Sequence, residues 1–380
     1  MSVERGFDVQ RATYDACRAG GLASIMEGSI FAVPSSEKSR PRTSNLARRT
    51  SYLSPRPSPV ALYWLACLML GSLGGIFPAA AFDLPVTVED NSRYTLILGS
   101  RAWISQGRSA HNIAGPGGVP NVTSELTYTG VNSRIAQGSV DLVVRQIPYV
   151  GRLVASVNGG YGPLGSGTLR DQDWLGNNRT LPLSDTTSSV TDGHVAHASL
   201  DVGWRPLEWR WMNNPLPGGF DLLVGYQFWQ EEYSATGVIA NGVQINNLPA
   251  ITQTNTWNSL RVGSRAFIPV HSYVSLRGSA FLIPWTHYQS DDVHHQRPSL
   301  AQDPSFRTIA TGGLGVQLEG SLLLRLWRGL SAEAGYAYWD IKSGSGTTDA
   351  FFSNGTGASV PFNQENTRRQ GVFFGLNYVF

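Results

Sequence analysis

From residue 92 onward, apolar and polar residues alternate with a period of two over many short stretches, while helical periodicity is scarce. Successive side chains of a strand point to opposite faces, so these stretches read as strands with one apolar and one polar side. SRYTLILGSRAWIS (92–105), SELTYTG (124–130), IAQGSVDLVVR (135–145) and LVASVNGGYG (153–162) open the series. HVAHASLDVGW (194–204), FDLLVGYQFW (220–229), WNSLRVGSRAFIP (257–269) and YVSLRGSAFLIPW (273–285) continue it. GGLGVQLEGSLLLRLW (312–327), LSAEAGYAYWDI (330–341) and RRQGVFFGLNYVF (368–380) close it.

Linkers rich in Gly, Pro, Asn and Ser separate the strands, some short and some long, as in a membrane barrel with turns on one rim and loops on the other. Long extracellular loops are expected at 105–120, 174–193, 230–256, 286–307 and 342–366. The final strand alternates Phe380, Tyr378, Leu376, Phe374 and Val372 with Val379, Asn377, Gly375 and Phe373. In hydrocarbon an open sheet edge would leave backbone donors unmet, so the sheet must close. The expected fold is all-β: a transmembrane antiparallel β-barrel of about ten strands, an even count. Trp103, Trp204, Trp209, Trp211, Trp229, Trp285, Trp327 and Trp339 lie near strand ends, where aromatic girdles tend to sit.

Composition supports this reading. Charged residues make up 15%, aromatics 11%, and there are 42 glycines, a mixture unusual for a soluble enzyme. Nine of the 29 basic and five of the 27 acidic residues fall within the first 81, so the remainder carries a net charge of −2. No nucleic-acid partner is suggested. Cys17 and Cys67 also lie in the leading stretch, which leaves no disulfide or thiolate metal site in the rest. Arg40, Arg42, Arg48, Arg49 and Arg56 precede ALYWLACLMLGSLGGIF (61–77) and then PAAAF. The small residues Ala79 and Ala81 fit signal-peptidase cleavage before Phe82, and the run is short for a transmembrane helix. Residues 1–81 are therefore expected to be an N-terminal extension plus signal peptide, and 82–380 the barrel.

Against this background TLRDQDWL (168–175) stands out. Asp171 and Asp173 share one face of a strand, where two carboxylates repel unless a proton or a cation intervenes. SDDVHHQ (290–296) places Asp292 and His294 on one face in the same way. A neutral histidine suits proton removal from water near neutral pH, and a neighbouring carboxylate fixes its tautomer and stabilises the imidazolium. Other patterns carry less. The GYGPLG spelling at 160–165 is followed by no helix pattern and contains Pro163. His294 and His295 point opposite ways in a strand, and no remote cluster completes a metal site with Asp291 and Asp292. His194 and His197 have the wrong spacing for a shared face.

GSGTLRDQDW (165–174) resembles the aspartate-pair segment of the omptin family of outer-membrane proteases. SDDVHH resembles that family's D-x-H segment, and LLVGYQFWQEEYSATG (222–237) its A-G-Y-Q-E-type signature. The likeness runs over 82–380, faint in most strands and pronounced in those patches. It implies a divergent member: a ten-stranded barrel in the Gram-negative outer membrane with an active-site groove at the outer rim. It implies peptide or protein substrates outside the cell, outer-membrane lipid and lipopolysaccharide as partners, no cofactor, and an open question whether lipopolysaccharide is required as activator. Asp171 and Asp173 match the family's aspartate couple, and Asp292 with His294 its Asp–His dyad.

The match also frays. The family signature W-T-D-x-S-x-H-P-x-T is replaced by LSDTTSSVTD (183–192), and the lipopolysaccharide-gripping arginine has no clean counterpart. Ser290 stands two before Asp292, and GPGGVPNVTSE (115–125) offers no acid before Glu125, so acids of the family's specificity pocket are missing. Preference for cutting between basic residues is therefore not expected to carry over. The competing reading is a degenerate omptin-like barrel acting as adhesin, binding protein or small pore.

Overall fold

The computed structural model describes residues 93–209 and 217–380. The expected extension and signal peptide (1–81) and Trp211 lie outside the described residues. Thirteen strand segments account for nearly all of the described chain: β1 (Tyr94–Ile113), β2 (Ser124–Ile147), β3 (Gly151–Pro163), β4 (Gly167–Gly176), β5 (Thr180–Trp209), β6 (Gly218–Ala240), β7 (Val243–Pro269), β8 (Val274–His294), β9 (Phe306–Thr311), β10 (Gly313–Trp327), β11 (Leu330–Ser343), β12 (Gly346–Phe351) and β13 (Gly357–Val379). All pairings are antiparallel, and β13 returns to pair with β1, closing the sheet on itself.

Ten staves make up this ring. β3 and β4 are lower and upper halves of one stave, both lying between β2 and β5. β9 and β10 share the next position after β8, and β11 and β12 share the one beside β13. The upper breaks fall at glycines: Gly312 has φ +93° and Gly313 φ +132°, a backbone region that side chains disfavour. The expected count of ten is thus met by thirteen segments.

The strands run further than the alternation of apolar residues suggested. Much of 174–193, 230–256 and 286–307 is itself paired strand, rising above the apolar zone as a polar-faced wall. The reason is that apolar–polar alternation marks a strand only where one face meets an apolar medium.

The ring is inside out relative to a water-soluble protein. Leu98, Ile104, Leu200, Val202, Leu222, Val224, Leu318, Leu322, Phe374 and Leu376 face outward as an exposed apolar band. The inside holds ion pairs: Arg261 Nε–Asp201 Oδ1 at 2.8 Å, Arg265 Nη1–Asp141 Oδ1 at 2.6 Å, Arg205 Nε–Asp221 Oδ1 at 2.6 Å and Arg101 Nη1–Glu319 Oε2 at 2.9 Å. Such a distribution is stable only when the outer face meets hydrocarbon, as in a membrane barrel. Above the ion pairs Trp229 stacks on Trp339 (centroids 4.3 Å apart), with Trp103 edge-on at 6.2 Å. These three tryptophans fill the lumen, whereas Trp204, Trp285 and Trp327 face outward. The girdle expectation holds for the second group only.

One irregularity sets the site. On the lower half of β8 the inward residues are odd-numbered: Ser275 and Phe281 are buried and Ile283 is fully so. Pairing with β7 then slips between Leu260 and Val262, so that Ile283 and Pro284 on β8 face a single β7 residue, Arg261. Proline has no amide donor for the ladder, which favours a bulge there. Beyond it the inward residues are even-numbered: Thr286, Tyr288, Ser290, Asp292 and His294.

Candidate active site

β4 carries Leu169, Asp171 and Asp173 on its inward face. Leu126 on β2 lies opposite Asp171, and Ser184 on β5 lies opposite Asp173. Ser184 Oγ donates to Asp173 Oδ2 at 2.7 Å. Arg170 and Gln172 point outward, where Arg170 makes two hydrogen bonds to Asp185. The predicted same-face placement of Asp171 and Asp173 is therefore observed.

On the far side of the mouth, Asp292 and His294 are buried on the inward face of β8, opposite Gln253 and Ile251 of β7. His294 Nε2 lies 3.5 Å from Asp292 Oδ1, ion-pair range but long for a hydrogen bond. Ser305 braces the pair from the return of the β8–β9 turn (295–305). Its hydroxyl accepts from the His294 amide at 2.9 Å, and its own amide donates to the Asp292 carbonyl at 2.7 Å. The ring of Phe306 meets the imidazole edge-on at 5.1 Å. Asp291 and His295 point the other way: Asp291 pairs with Arg307 at 2.6 Å and His295 meets Thr252 Oγ1 at 2.9 Å. The four acids and histidines of SDDVHH are thereby split between two faces of the wall.

The aspartate pair and the dyad stand four staves apart one way around the ring and six the other. Arg297 connects them. It follows His294 in the turn, its amide donates to the His294 carbonyl at 3.1 Å, and its Nη2 reaches 4.0 Å from Asp171 Oδ2 and 3.9 Å from Asp173 Oδ2. Electrostatics tie the same groups together. Burial, then the charge of Asp173, push the Asp171 carboxyl up to about 7 against the opposing pull of Arg297. Burial likewise raises Asp292 well above the usual carboxylate range, with Arg297 opposing and Asp171 adding to the rise. His294 is held well below its ordinary value by burial first, then by the charges of Arg297, His295 and His111. The imidazole therefore rests neutral, the form able to accept a proton.

Beneath these groups lies a floor that the sequence reading missed. Tyr128 stacks on Tyr233 at 4.3 Å, and Tyr288 packs on Trp257 at 4.4 Å. His111 Nδ1 lies 3.4 Å from Glu365 Oε2 and 3.3 Å from the Tyr288 hydroxyl. The hydroxyl of Tyr128, Gln253 Oε1, Asn255 Nδ2, Asp292 Oδ1 and Glu365 Oε2 are buried without a hydrogen-bond partner. Arg297 was missed as well; its only sequence signal is its place three residues beyond His294.

Three comparisons bear on this arrangement. No protein-family model matches the chain, and no curated protein matches it in sequence. Among solved structures it is similar to the outer membrane protease OmpT from Escherichia coli, with TM-score 0.61 and 14% identity over 77% of this chain and 99% of that one. The CymD monoaromatic hydrocarbon channel (TM-score 0.24, 10% identity, 76% of this chain and 89% of that one) also matches. So does a Pseudomonas aeruginosa FadL homologue (TM-score 0.21, 9% identity, 76% and 90%), and at such scores neither carries an argument. The likeness to OmpT bears on the fold alone: this chain is an antiparallel β-barrel similar in structure to that protein.

Proposed function

We propose that this protein is an outer-membrane endopeptidase of the omptin type, a divergent member of that family, hydrolysing peptide bonds outside the cell. The supporting observation is the meeting of two acid-bearing segments from opposite walls at one mouth, joined through Arg297. His294, neutral at rest, takes a proton from water, and that water attacks the peptide carbonyl directly. The serines that touch these groups are engaged elsewhere, Ser305 Oγ donating to the Ala301 carbonyl and Ser184 Oγ to Asp173, so the proposed step uses water and forms no acyl-enzyme. Asp292 orients the imidazole and compensates the imidazolium as it forms. Across the groove, Asp171 and Asp173 share one proton, which is donated to the oxyanion as the tetrahedral intermediate develops. Collapse of the intermediate breaks the C–N bond: the imidazolium gives its proton to the leaving amine, and as the carbonyl re-forms its hydroxyl proton returns to the Asp171–Asp173 pair. Outer-membrane lipid and lipopolysaccharide are the proposed surroundings, with lipopolysaccharide as a candidate activator.

The full chain, folded with and without lipopolysaccharide, is to be profiled against a peptide library beside His294→Ala and Asp292→Ala. Cleavage by the wild type is expected, falling by about a hundredfold or more in each variant with folding unchanged. Absence of cleavage in the wild type, or equal cleavage in His294→Ala, would leave a binding barrel instead.

A further inference from the structure

A single nitrogen of Arg297 lies almost equally far from the two aspartates, 4.0 Å from one carboxylate and 3.9 Å from the other. Those distances exceed hydrogen-bond reach, so the guanidinium acts on both acids through charge. Its side chain is 43% exposed, while those of Asp171 and Asp173 are 16% and 6% exposed. The other charges around the pair, on either side of the wall, are anionic or spoken for. Asp185 on β5 is bound by Arg170, Asp292 faces the pair from β8, and Glu125 on β2 is bound by Arg179. From β2 the Tyr128 hydroxyl also faces Asp171, and Ser184 on β5 donates to Asp173. Two buried carboxyls with one proton between them carry one negative charge, and Arg297 supplies the matching positive one.

We propose that Arg297 is a positioning residue of the site: it holds Asp171 and Asp173 as a unit with one proton and one negative charge, and ties the β8–β9 turn to the opposite wall. The inference rests on the reading of the two aspartates as a proton-sharing pair. Without the guanidinium, the remaining charge of the pair stands uncompensated in a buried place facing Asp292. The pair then binds its protons more tightly.

The test is carboxyl titration by NMR on the full chain, labelled with 13C at aspartate Cγ and folded in detergent, with Asp171→Asn and Asp173→Asn assigning the signals. In Arg297→Gln the midpoint of the pair is expected to rise by about one pH unit, a single charge at this distance discounted for partial exposure. Arg297→Lys, which keeps the charge, should fall between the wild type and Arg297→Gln. A midpoint unchanged in Arg297→Gln, or shifted as far in Arg297→Lys, would overturn the proposal. Peptide cleavage on the same preparations separates the two readings. A shifted midpoint without cleavage retains Arg297's role and removes the endopeptidase. Cleavage with an unshifted midpoint does the reverse. If no aspartate at 171 or 173 titrates near neutrality in the wild type, both the pair and the role of Arg297 fall.

Discussion

Asp171 illustrates how a single side chain trades stability for a proton. Its carboxyl is raised to about 7 by burial and then by Asp173, whereas in the unfolded chain it titrates near its ordinary value of about 4. Between those two pH values the folded chain holds a proton that the unfolded chain has released, so this group weakens the fold as pH rises through that window. Asp171→Asn cannot ionise. Its stability relative to wild type should be smallest near pH 4 and grow up to about pH 7, then level off, as read from urea-unfolding midpoints across that range. A constant difference would show that the two states bind the proton alike. At this scale the sequence was informative wherever chemistry sits two residues apart in one segment, as with Asp171 and Asp173 or Asp292 and His294. It was silent on Arg297, His111 and Glu365. Their partners lie far away along the chain, and only closure of the ring brings them near.

Among the elements, β8 shows why a strand pattern alone does not aim a site. Extending the alternation of 273–285 through Asp292 and His294 would turn both outward, because the inward residues of the lower half are odd-numbered. The bulge at Ile283 and Pro284 reverses the parity and brings the dyad inside. Deleting Pro284 removes the extra residue, so straight pairing should return with Asp292 and His294 still inward, and both the β-rich circular dichroism spectrum and cleavage should be kept. In a chain with Cys17 and Cys67 replaced by serine, an external thiol reagent should label a cysteine placed at 293 more than one at 294. The deletion should leave that order as it is. An inverted order would mean that the bulge re-forms at another position rather than vanishing. The proline was visible in the sequence, but its effect on facing depends on the register of β7. The upper strand extensions were hidden for a related reason: above the apolar belt both faces of the wall are polar, so no alternation remains to be seen.

For the molecule as a whole, the interior decides between barrel functions. Arg261 with Asp201, Arg265 with Asp141 and Asp221, and the tryptophans at 103, 229 and 339 occupy the lumen from wall to wall. Ions would have to break buried pairs to pass, which costs several kcal/mol per uncompensated charge. Purified protein in planar bilayers is therefore expected to give no steady unitary currents, and a regular conductance would show that the plug opens. The closed, filled ring was the part most legible in the sequence, since period-two patterning and the exclusion of open edges from hydrocarbon leave few other solutions.

The hoop also acts as a caliper. Its girth follows from how many staves it contains, and the gap between β4 and β8 is a chord of that circle. Splicing in one more hairpin at any point would pull the two halves of the chemistry apart while leaving every local motif intact. Diversification on this scaffold is thus confined to exchanging rim residues at constant girth.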